Sequence, residues 1–256
     1  MKIDKLSTKN ESTWCPGCPN FMILEAVKKS INNPKNYAIV AGIGCHGKMY
    51  DHLNLSGIYG LHGRPIPTAL GIKLGNPNLK VIAFGGDGDT YSEGMSHFIH
   101  AFRYNVDMTL IVHNNQSFSL TTGQSTPTTQ QGYINGDSPK GEINTPLNPI
   151  KLALASGATF VARANAMDLN HTTSIIKKAI KHKGFSYVEI MQKCLIFNKD
   201  MNELDKIMYK IPDNKNLSNA NKYADQWNYN SKKGKMPLGI ATSSLVKNIS
   251  GNSDPI

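Results

Sequence analysis

Apolar and polar positions along the chain follow two periods in turn. Phe21, Leu24, Val27 and Ile31 recur at helical spacing directly after Cys18-Pro19-Asn20. Short unbroken apolar runs then occupy 37–41, 81–84 and 108–113, and each ends in Gly or Asn: Gly42, Gly85-Gly86 and Asn114-Asn115. Runs of that length with such ends predict buried strands. Helical spacing returns over 149–158 and 169–182, and 160–162 and 187–191 predict further strands. Strand-like and helix-like segments alternating in this way predict an α/β fold, a mainly parallel sheet flanked by helices.

The unusual residues sit where strands are expected to end. Gly44-Cys45-His46-Gly47, Gly86-Asp87-Gly88-Asp89 and Asn114-Asn115 each follow an apolar run. Ligands of open parallel sheets bind at the carboxyl edge, so three such loops predict one site. From about Asn198 the chain turns to Asn, Lys and Asp with few apolar runs. A main domain over 1–195 with a C-terminal extension or arm over 196–256 is expected, with 223–229 and 237–240 packing back on the core.

Composition narrows the classes. The formal charge is +10, yet Arg64, Arg103 and Arg163 are the only arginines and the lysines are scattered. Without an arginine-rich or aromatic-interleaved stripe, nucleic acid is not an expected partner. No apolar run approaches the roughly 20 residues a bilayer requires. The first residues, 1–6, lack the apolar core of a signal peptide. A cytoplasmic protein without membrane attachment is expected.

Two sets of residues carry candidate chemistry. The first is Gly86-Asp87-Gly88, then 25 residues, then Asn114-Asn115. A diphosphate needs a hard divalent cation held by oxygens. Asp87 can supply a carboxylate, Asn115 an amide oxygen and Ser117 its backbone carbonyl. The glycines allow close approach of backbone N–H groups, and a helix expected from about Ser92-Glu93 offers its positive end. Either half alone is a common turn. Together, each ends a strand, and the segment between them suits one crossover helix. A nicotinamide site is the less expected reading.

The second set is Cys15, Cys18, Cys45 and Cys194, all the cysteines of the chain. Four thiolates at these positions suit a [4Fe–4S] cluster or a structural zinc ion, and spacing alone leaves the two even. Disulfides are disfavoured in the cytoplasm. A thioredoxin-like pair leaves Cys45 and Cys194 without a role, and plain burial is the usual fate of such isolated cysteines.

Several motifs resemble the β subunits of 2-oxoacid:ferredoxin oxidoreductases. They are Trp14-Cys15-Pro16-Gly17-Cys18-Pro19-Asn20, Gly42-Ile43-Gly44-Cys45, Leu61-His62-Gly63-Arg64, Gly71-Ile72-Lys73-Leu74, Gly85-Gly86-Asp87-Gly88-Asp89, Asn114-Asn115 and Leu120-Thr121-Thr122-Gly123-Gln124. The spacing of the Asp87 and Asn115 loops is likewise similar to the thiamine-diphosphate motif. The likeness runs from about Thr13 to Cys194, with an echo at Ile211 and over 236–240.

The resemblance implies a thiamine-diphosphate-binding fold with Mg²⁺ at Asp87, Asn115 and Ser117. It also implies one [4Fe–4S] cluster on Cys15, Cys18, Cys45 and Cys194. It puts Ile43, Gly44, Cys45, His46, His62, Gly63, Arg64, Gly86, Gly88, Asp89, Ser119 and Leu120 around the cofactor. Pro19 stands where the family has glycine and is expected at the first position of a helix. His46 and Phe118-Ser119 replace a small residue and Tyr-Gly, and Thr122 occupies a position that is lysine in some relatives.

The implied reaction is oxidative decarboxylation of a 2-oxoacid with coenzyme A to acyl-CoA and CO₂, 2-oxoglutarate favoured and pyruvate next. Electrons pass through the cluster to ferredoxin. The implied partner is an α, or fused γα, subunit, expected to bring the glutamate that activates thiamine. Glu25, Glu93, Glu142, Glu189 and Glu203 match no such role and are expected at the surface or at helix caps. A non-redox thiamine-dependent decarboxylase gives the cysteines no function, and a zinc-stabilised scaffold gives Asp87 none. The isolated chain is accordingly expected to bind thiamine diphosphate weakly and not to turn over. Decarboxylation by the chain alone, followed as CO₂ release, would overturn the need for a partner.

Overall fold

The computed structural model describes residues 5–198, 204–227 and 234–243. The elements are α1 (Asn20–Lys28), β1 (Tyr37–Ala41), α2 (Met49–His52), β2 (Ser56–Tyr59), α3 (Pro65–Gly75), β3 (Lys80–Gly86), α4 (Met95–Tyr104), β4 (Thr109–Asn114), α5 (Pro149–Ala155), β5 (Phe160–Asn165), α6 (Leu169–Lys181), β6 (Ser186–Met191), β7 (Met208–Lys210), α7 (Leu217–Asp225) and β8 (Met236–Ser243). The eight strands form one sheet in the order β2-β1-β3-β4-β6-β5-β8-β7. The first six are mutually parallel, and β8 runs antiparallel to β5. The α/β fold with a mainly parallel sheet is the one the sequence predicts.

The strands read as unbroken apolar runs because both faces of the sheet are covered. Alternate side chains serve opposite layers. Ile39, Ile82, Phe84, Ile111, Val188 and Ile190 face one layer, where α1 brings Ile23, Leu24 and Val27 and α6 brings Ile175 and Ile176. Val40, Val81, Ala83, Leu110, Val112 and Tyr187 face the other. There they meet Ile66 and Ala69 of α3, Phe98 and Phe102 of α4, Leu154 of α5 and Ala220 and Ala224 of α7.

Local chemistry starts and stops these helices. Asp168 caps α6 by accepting from the His171 N–H, and Lys178 and Lys181 sit in its last turn, where positive charge suits the dipole. Asn148 caps α5 by accepting from Lys151 N, with Pro149 at the first helical position. α4 ends at Asn105, whose φ of 48° is left-handed. The Asn105 Oδ1 then accepts from Phe185 N and the Thr159 hydroxyl, both at 2.9 Å, tying the connections into β5 and β6 to the end of α4.

Some elements differ from expectation. Pro19 is the cap of α1, one residue before its expected place. The helix expected from Ser92-Glu93 begins earlier: helical backbone starts at Asp87, passes through a π turn at Asp89–Glu93 and becomes α4 at Met95. β2 has no sequence signature, because it is an exposed edge strand with Gly57 against the Ile39 carbonyl. In the C-terminal region β7, α7 and β8 add to the same sheet and its helical layer. Trp227 is buried with Met191, Leu204 and Met236. Residues 228 and 229 of the expected packing segment, Glu203, and residues 1–4 of the N-terminal reading lie outside the described residues, as do 199–202, 230–233 and 244–256 of the extension.

Phe98 is fully buried and meets Tyr91, Phe102 and Tyr187 edge-on, with centroids 4.9–5.3 Å apart. Replacing Phe98 by Ala removes this aromatic cluster's centre, and a cost of about 3–5 kcal/mol is expected. A urea unfolding midpoint unchanged from the parent would show that the cluster does not carry the α4 layer.

Candidate cofactor site

The carboxyl ends of β1, β3, β4 and β6 open into one cleft of about 480 Å³. Register brings its walls together. Gly86 of β3 pairs with His113 of β4, and Asn114 of β4 pairs with Met191 of β6. Loops leaving these residues therefore lie side by side at the ~4.8 Å spacing of strands. The cleft is lined by Ile43, Gly44, Cys45 and His46 after β1, His62 after β2 and Gly86, Asp87, Gly88 and Asp89 after β3. Asn115, Ser117, Ser119 and Leu120 follow β4 in the same wall. Gly63 and Arg64 stand outside it. Gly63 N donates to Asp89 Oδ1 at 2.6 Å, and the exposed Arg64 donates to the Glu93 carbonyl at 3.1 Å.

Backbone at the cleft has no room for side chains. A Cβ on Gly86 would stand 2.6 Å from His46 Nδ1, and one on Gly88 would enter the Phe118 ring. Gly42-Ile43-Gly44-Cys45-His46-Gly47 matches Gly-x-Gly-x-x-Gly after a strand. It leads into a 3₁₀ turn at Cys45–Lys48 and the four-residue α2, not into the long helix that receives a dinucleotide pyrophosphate.

The residues expected to supply oxygens, Asp87, Asn115 and Ser117, share the cleft wall. Asp87 is buried and accepts from the Thr126 and Thr128 hydroxyls at 2.5 and 2.9 Å. Burial raises its carboxyl to about 6, against the lowering effect of these hydroxyls and of backbone N–H groups. These partners are neutral donors, so the ionised carboxylate has a use for a cation. Asn115 Oδ1 accepts from Ser117 N at 3.1 Å, and its Nδ2 donates to Ser119 Oγ at 2.9 Å. The turn between them holds Gln116 at φ +58°, left-handed for a residue with a side chain.

Four buried atoms around the cleft, His46 Nε2, Asp89 Oδ2, His113 Nε2 and Ser117 Oγ, have no hydrogen-bond partner among the described residues. His46 Nε2 and Asp89 Oδ2 approach to 3.3 Å without hydrogen-bond alignment. Unsatisfied polar atoms in a cleft of this size suit a polar ligand.

Beside this wall the cysteines gather. Trp14 Nε1 donates to the Cys45 carbonyl at 2.7 Å, which fastens the Cys15-Cys18 loop to the end of β1. Ser119 Oγ lies 3.4 Å from Cys45 Sγ, Gln192 Nε2 3.7 Å from Cys18 Sγ and Phe197 N 3.4 Å from Cys194 Sγ. Burial pushes the Cys18 thiol up to about 11, with smaller upward effects from Cys45, Cys15 and Cys194. Burial also raises Cys45. Cys18 and Cys45 each lie within electrostatic reach of Cys15 and Cys194. Yet among the described residues no three His, Cys, Asp or Glu converge on a point that would hold a single metal ion.

Two site residues, His113 and Gln192, escape sequence reasoning, and Phe118 and Thr121 belong to motifs read there without a site role. His113, Phe118, Thr121 and Gln192 also line the cleft. His113 Nδ1 is 2.8 Å from Asn20 Oδ1, and burial, with His46 nearby, holds its imidazole well below the usual range. Gln192 reaches Asn115 Nδ2 at 3.4 Å and Cys18 Sγ with opposite ends of its amide. The signal available for His113 and Gln192 was adjacency to motif residues, one before Asn114 and two before Cys194. Two glutamates correct the expectation of surface or capping positions. Glu142 is buried, and Glu189 is fully buried in β6, where it accepts from Arg163 Nε at 2.7 Å. The β strand's alternation puts Glu189 on the Tyr187 face, under the helices.

Comparison with known proteins agrees with this geometry. The family described as thiamine pyrophosphate enzyme, C-terminal TPP binding domain, matches residues 42–190. The chain is 48% identical to the 2-oxoacid:ferredoxin oxidoreductase subunit beta of Saccharolobus solfataricus, over 77% of this chain and 68% of that one. It is 42% identical to the 2-oxoglutarate synthase subunit KorB of Archaeoglobus fulgidus, over 71% and 69%. A solved structure, 2-oxoglutarate:ferredoxin oxidoreductase from Magnetococcus marinus with 2-oxoglutarate, coenzyme A and succinyl-CoA bound, superposes with a TM-score of 0.90 at 33% identity, covering 96% of this chain and 86% of that one. None of the nicotinamide, zinc-scaffold or isolated-turn readings accounts for likeness of this extent, and the chain belongs to the β subunits of the 2-oxoacid:ferredoxin oxidoreductases, oxidoreductase subunits with a thiamine-diphosphate-binding domain.

Proposed function

We propose that this subunit holds thiamine diphosphate, Mg²⁺ and one [4Fe–4S] cluster side by side, and that with an α or γα partner it oxidises 2-oxoglutarate in preference to pyruvate. The observation that carries this reading is the single side chain spanning both sites. Gln192 touches Asn115 of the oxygen set and Cys18 of the thiol set, at 3.4 and 3.7 Å. Cys18 within electrostatic reach of Cys15, Cys45 and Cys194 supports four thiolates sharing one cluster. The buried Asp87, whose partners in this chain are neutral, supports a cation held with Asn115 Oδ1 and the Ser117 carbonyl.

When bound, thiamine diphosphate supplies a nucleophilic carbon and an electron sink, and the cluster an acceptor for single electrons. The chain's own residues do the holding. Gly86 and Gly88 bring backbone close to the diphosphate, and Asp87 and Asn115 anchor its cation. Cys45 and Ser119, 3.4 Å apart, stand where the oxygen set gives way to the thiols. Phe118 and Leu120 would give a bound ring apolar contact. His46 Nε2 and Asp89 Oδ2, 3.3 Å apart and without hydrogen-bond partners among the described residues, would meet its polar atoms. Substrate preference rests on relatives named for 2-oxoglutarate and on the neighbour that binds it. The glutamate that activates thiamine, most contacts to the substrate carboxylate and coenzyme A, and ferredoxin as the electron carrier belong to the partner side of the reaction. A cytoplasmic setting fits this chemistry, and no helix of the described residues is long and apolar enough to cross a membrane.

The test is anaerobic co-production with the partner subunit, followed by coenzyme-A-dependent reduction of a low-potential acceptor. Turnover with 2-oxoglutarate exceeding that with pyruvate is expected, in a preparation with about four irons and matching acid-labile sulfide per chain. Turnover without iron or sulfide would replace this reading with the non-redox decarboxylase. Asp87→Asn is expected to lower Mg²⁺-dependent binding of thiamine diphosphate by about 100-fold while iron content stays at the parent level. Calorimetry showing parental affinity in this variant would remove Asp87 from the metal site.

A further inference from the structure

A buried charge pair lies behind the cofactor site, outside the residues that line the cleft. Arg163 of β5 and Glu189 of β6 are direct partners in the strand register, with side chains 4% and 0% exposed and Arg163 Nε 2.7 Å from Glu189 Oε2. Burying two charges is expensive, and an apolar pair of the same volume is often as stable or more so. The pair therefore calls for a reason other than stability.

The second oxygen of Glu189 supplies one. Glu189 Oε1 accepts from Asn114 Nδ2 at 2.8 Å. Asn114 is fully buried and is not part of the cleft wall, so the two asparagines of the pair do different work. A carboxylate acceptor on one side of the Asn114 amide directs its Oδ1 to the other side. There it accepts from Gln116 N at 3.2 Å and meets the Thr128 hydroxyl at 3.0 Å. Gln116 is the left-handed residue between Asn115 and Ser117, and Thr128 is 2.9 Å from Asp87 Oδ2. Thr128 has one hydrogen and serves Asn114 or Asp87 at a given moment, while the Thr126 hydroxyl at 2.5 Å donates to Asp87. Thr129 completes the frame by donating to the Gln116 carbonyl at 2.7 Å.

We propose that Glu189, its charge balanced by Arg163, is a positioning residue for the cation site. Acting through Asn114, it holds both halves of the oxygen set in register, the 115–117 turn through Gln116 N and the Asp87 carboxylate through Thr128. The assignment rests on the reading of Asp87, Asn115 and Ser117 as the cation's ligands. Supports one step removed from a metal govern its affinity by about 10- to 100-fold.

Two double variants separate this role from a structural one. Arg163→Met/Glu189→Met removes both charges and the acceptor for Asn114. Arg163→Met/Glu189→Gln also removes both charges but keeps an acceptor oxygen toward Asn114. Thr128→Val breaks the link to Asp87 and leaves the pair untouched. Each full-length variant is co-purified with the partner subunit and stripped of cofactor. Its fold is checked by thermal melting, and calorimetry measures the Mg²⁺ concentration that supports thiamine diphosphate binding. The expected result is parental Mg²⁺ dependence for the Met/Gln variant and a requirement raised about 10-fold or more for Met/Met and for Thr128→Val. Parental dependence in Met/Met overturns the proposal whatever Thr128→Val shows. If Met/Met does not fold, Arg163→Met/Glu189→Leu, which also lacks an acceptor for Asn114, takes its place. Absence of Mg²⁺-dependent binding in the unmodified protein would bring down the ligand reading and the positioning role with it. Normal binding there with indifferent variants would remove the positioning role only.

Discussion

The parallel register of β3 against β4, with Gly86 opposite His113, is the constraint on which the rest of this site depends. It places the turn after Gly86 beside the turn after Asn114, so residues separated by a whole crossover share one wall. The neighbouring pairings extend the same logic. Ala41 opposite Phe84 brings Gly42–Cys45 to the near side, and Asn114 opposite Met191 brings Gln192 and Cys194 to the far side. A parallel sheet sends all these ends to one edge, where the helices no longer cover it. The Cys15-Cys18 loop reaches that edge by another route. α1 is buried against the sheet, and the Trp14 indole is bonded to the Cys45 carbonyl.

Gathering polar groups at an edge that is also well packed has an electrostatic consequence. Asp87 and Glu189 are both carboxyls taken out of water, and the fold treats them differently. Glu189 has a guanidinium partner within the chain. Asp87 has neutral hydroxyl and N–H donors, which lower its carboxyl less than burial raises it, and the thiols of Cys18 and Cys45 are raised by burial too. Ligands that accept these groups in ionised form stabilise the folded state in proportion to their binding. Of these two buried carboxyls, Glu189 is balanced by a cation of the chain itself, while Asp87 meets neutral donors at the edge of the cleft.

Most of the cleft's lining was legible in the order of residues. Asp87, Asn115 and Ser117 line it, and Gly and Asn after an apolar run had marked the strand ends that bring them there. The supporting groups were not legible. Thr126 and Thr128 lie in a loop whose letters suggest only turns, yet they are the hydrogen-bond partners of Asp87. Glu189 is flanked by Val188 and Ile190, and a charged residue there suggests an exposed position until its Arg163 partner is known. The Gly42–Gly47 run shows the converse. It carries the letters of a dinucleotide fold, but only the short helical turns after it decide that the letters have a different use.

The sequence by itself determined the fold class and the strand ends, and with them which polar loops share the cleft. Each of these is a local matter, settled by which side chains bury and which backbone turns. The tertiary structure alone decided that Gln192 bridges the two donor sets, that His113 faces Asn20 and that Arg163 and Glu189 stand behind Asn114. Those relations depend on the pairing register of strands far apart in the chain, and a shift of one residue would turn every one of these side chains to the opposite face.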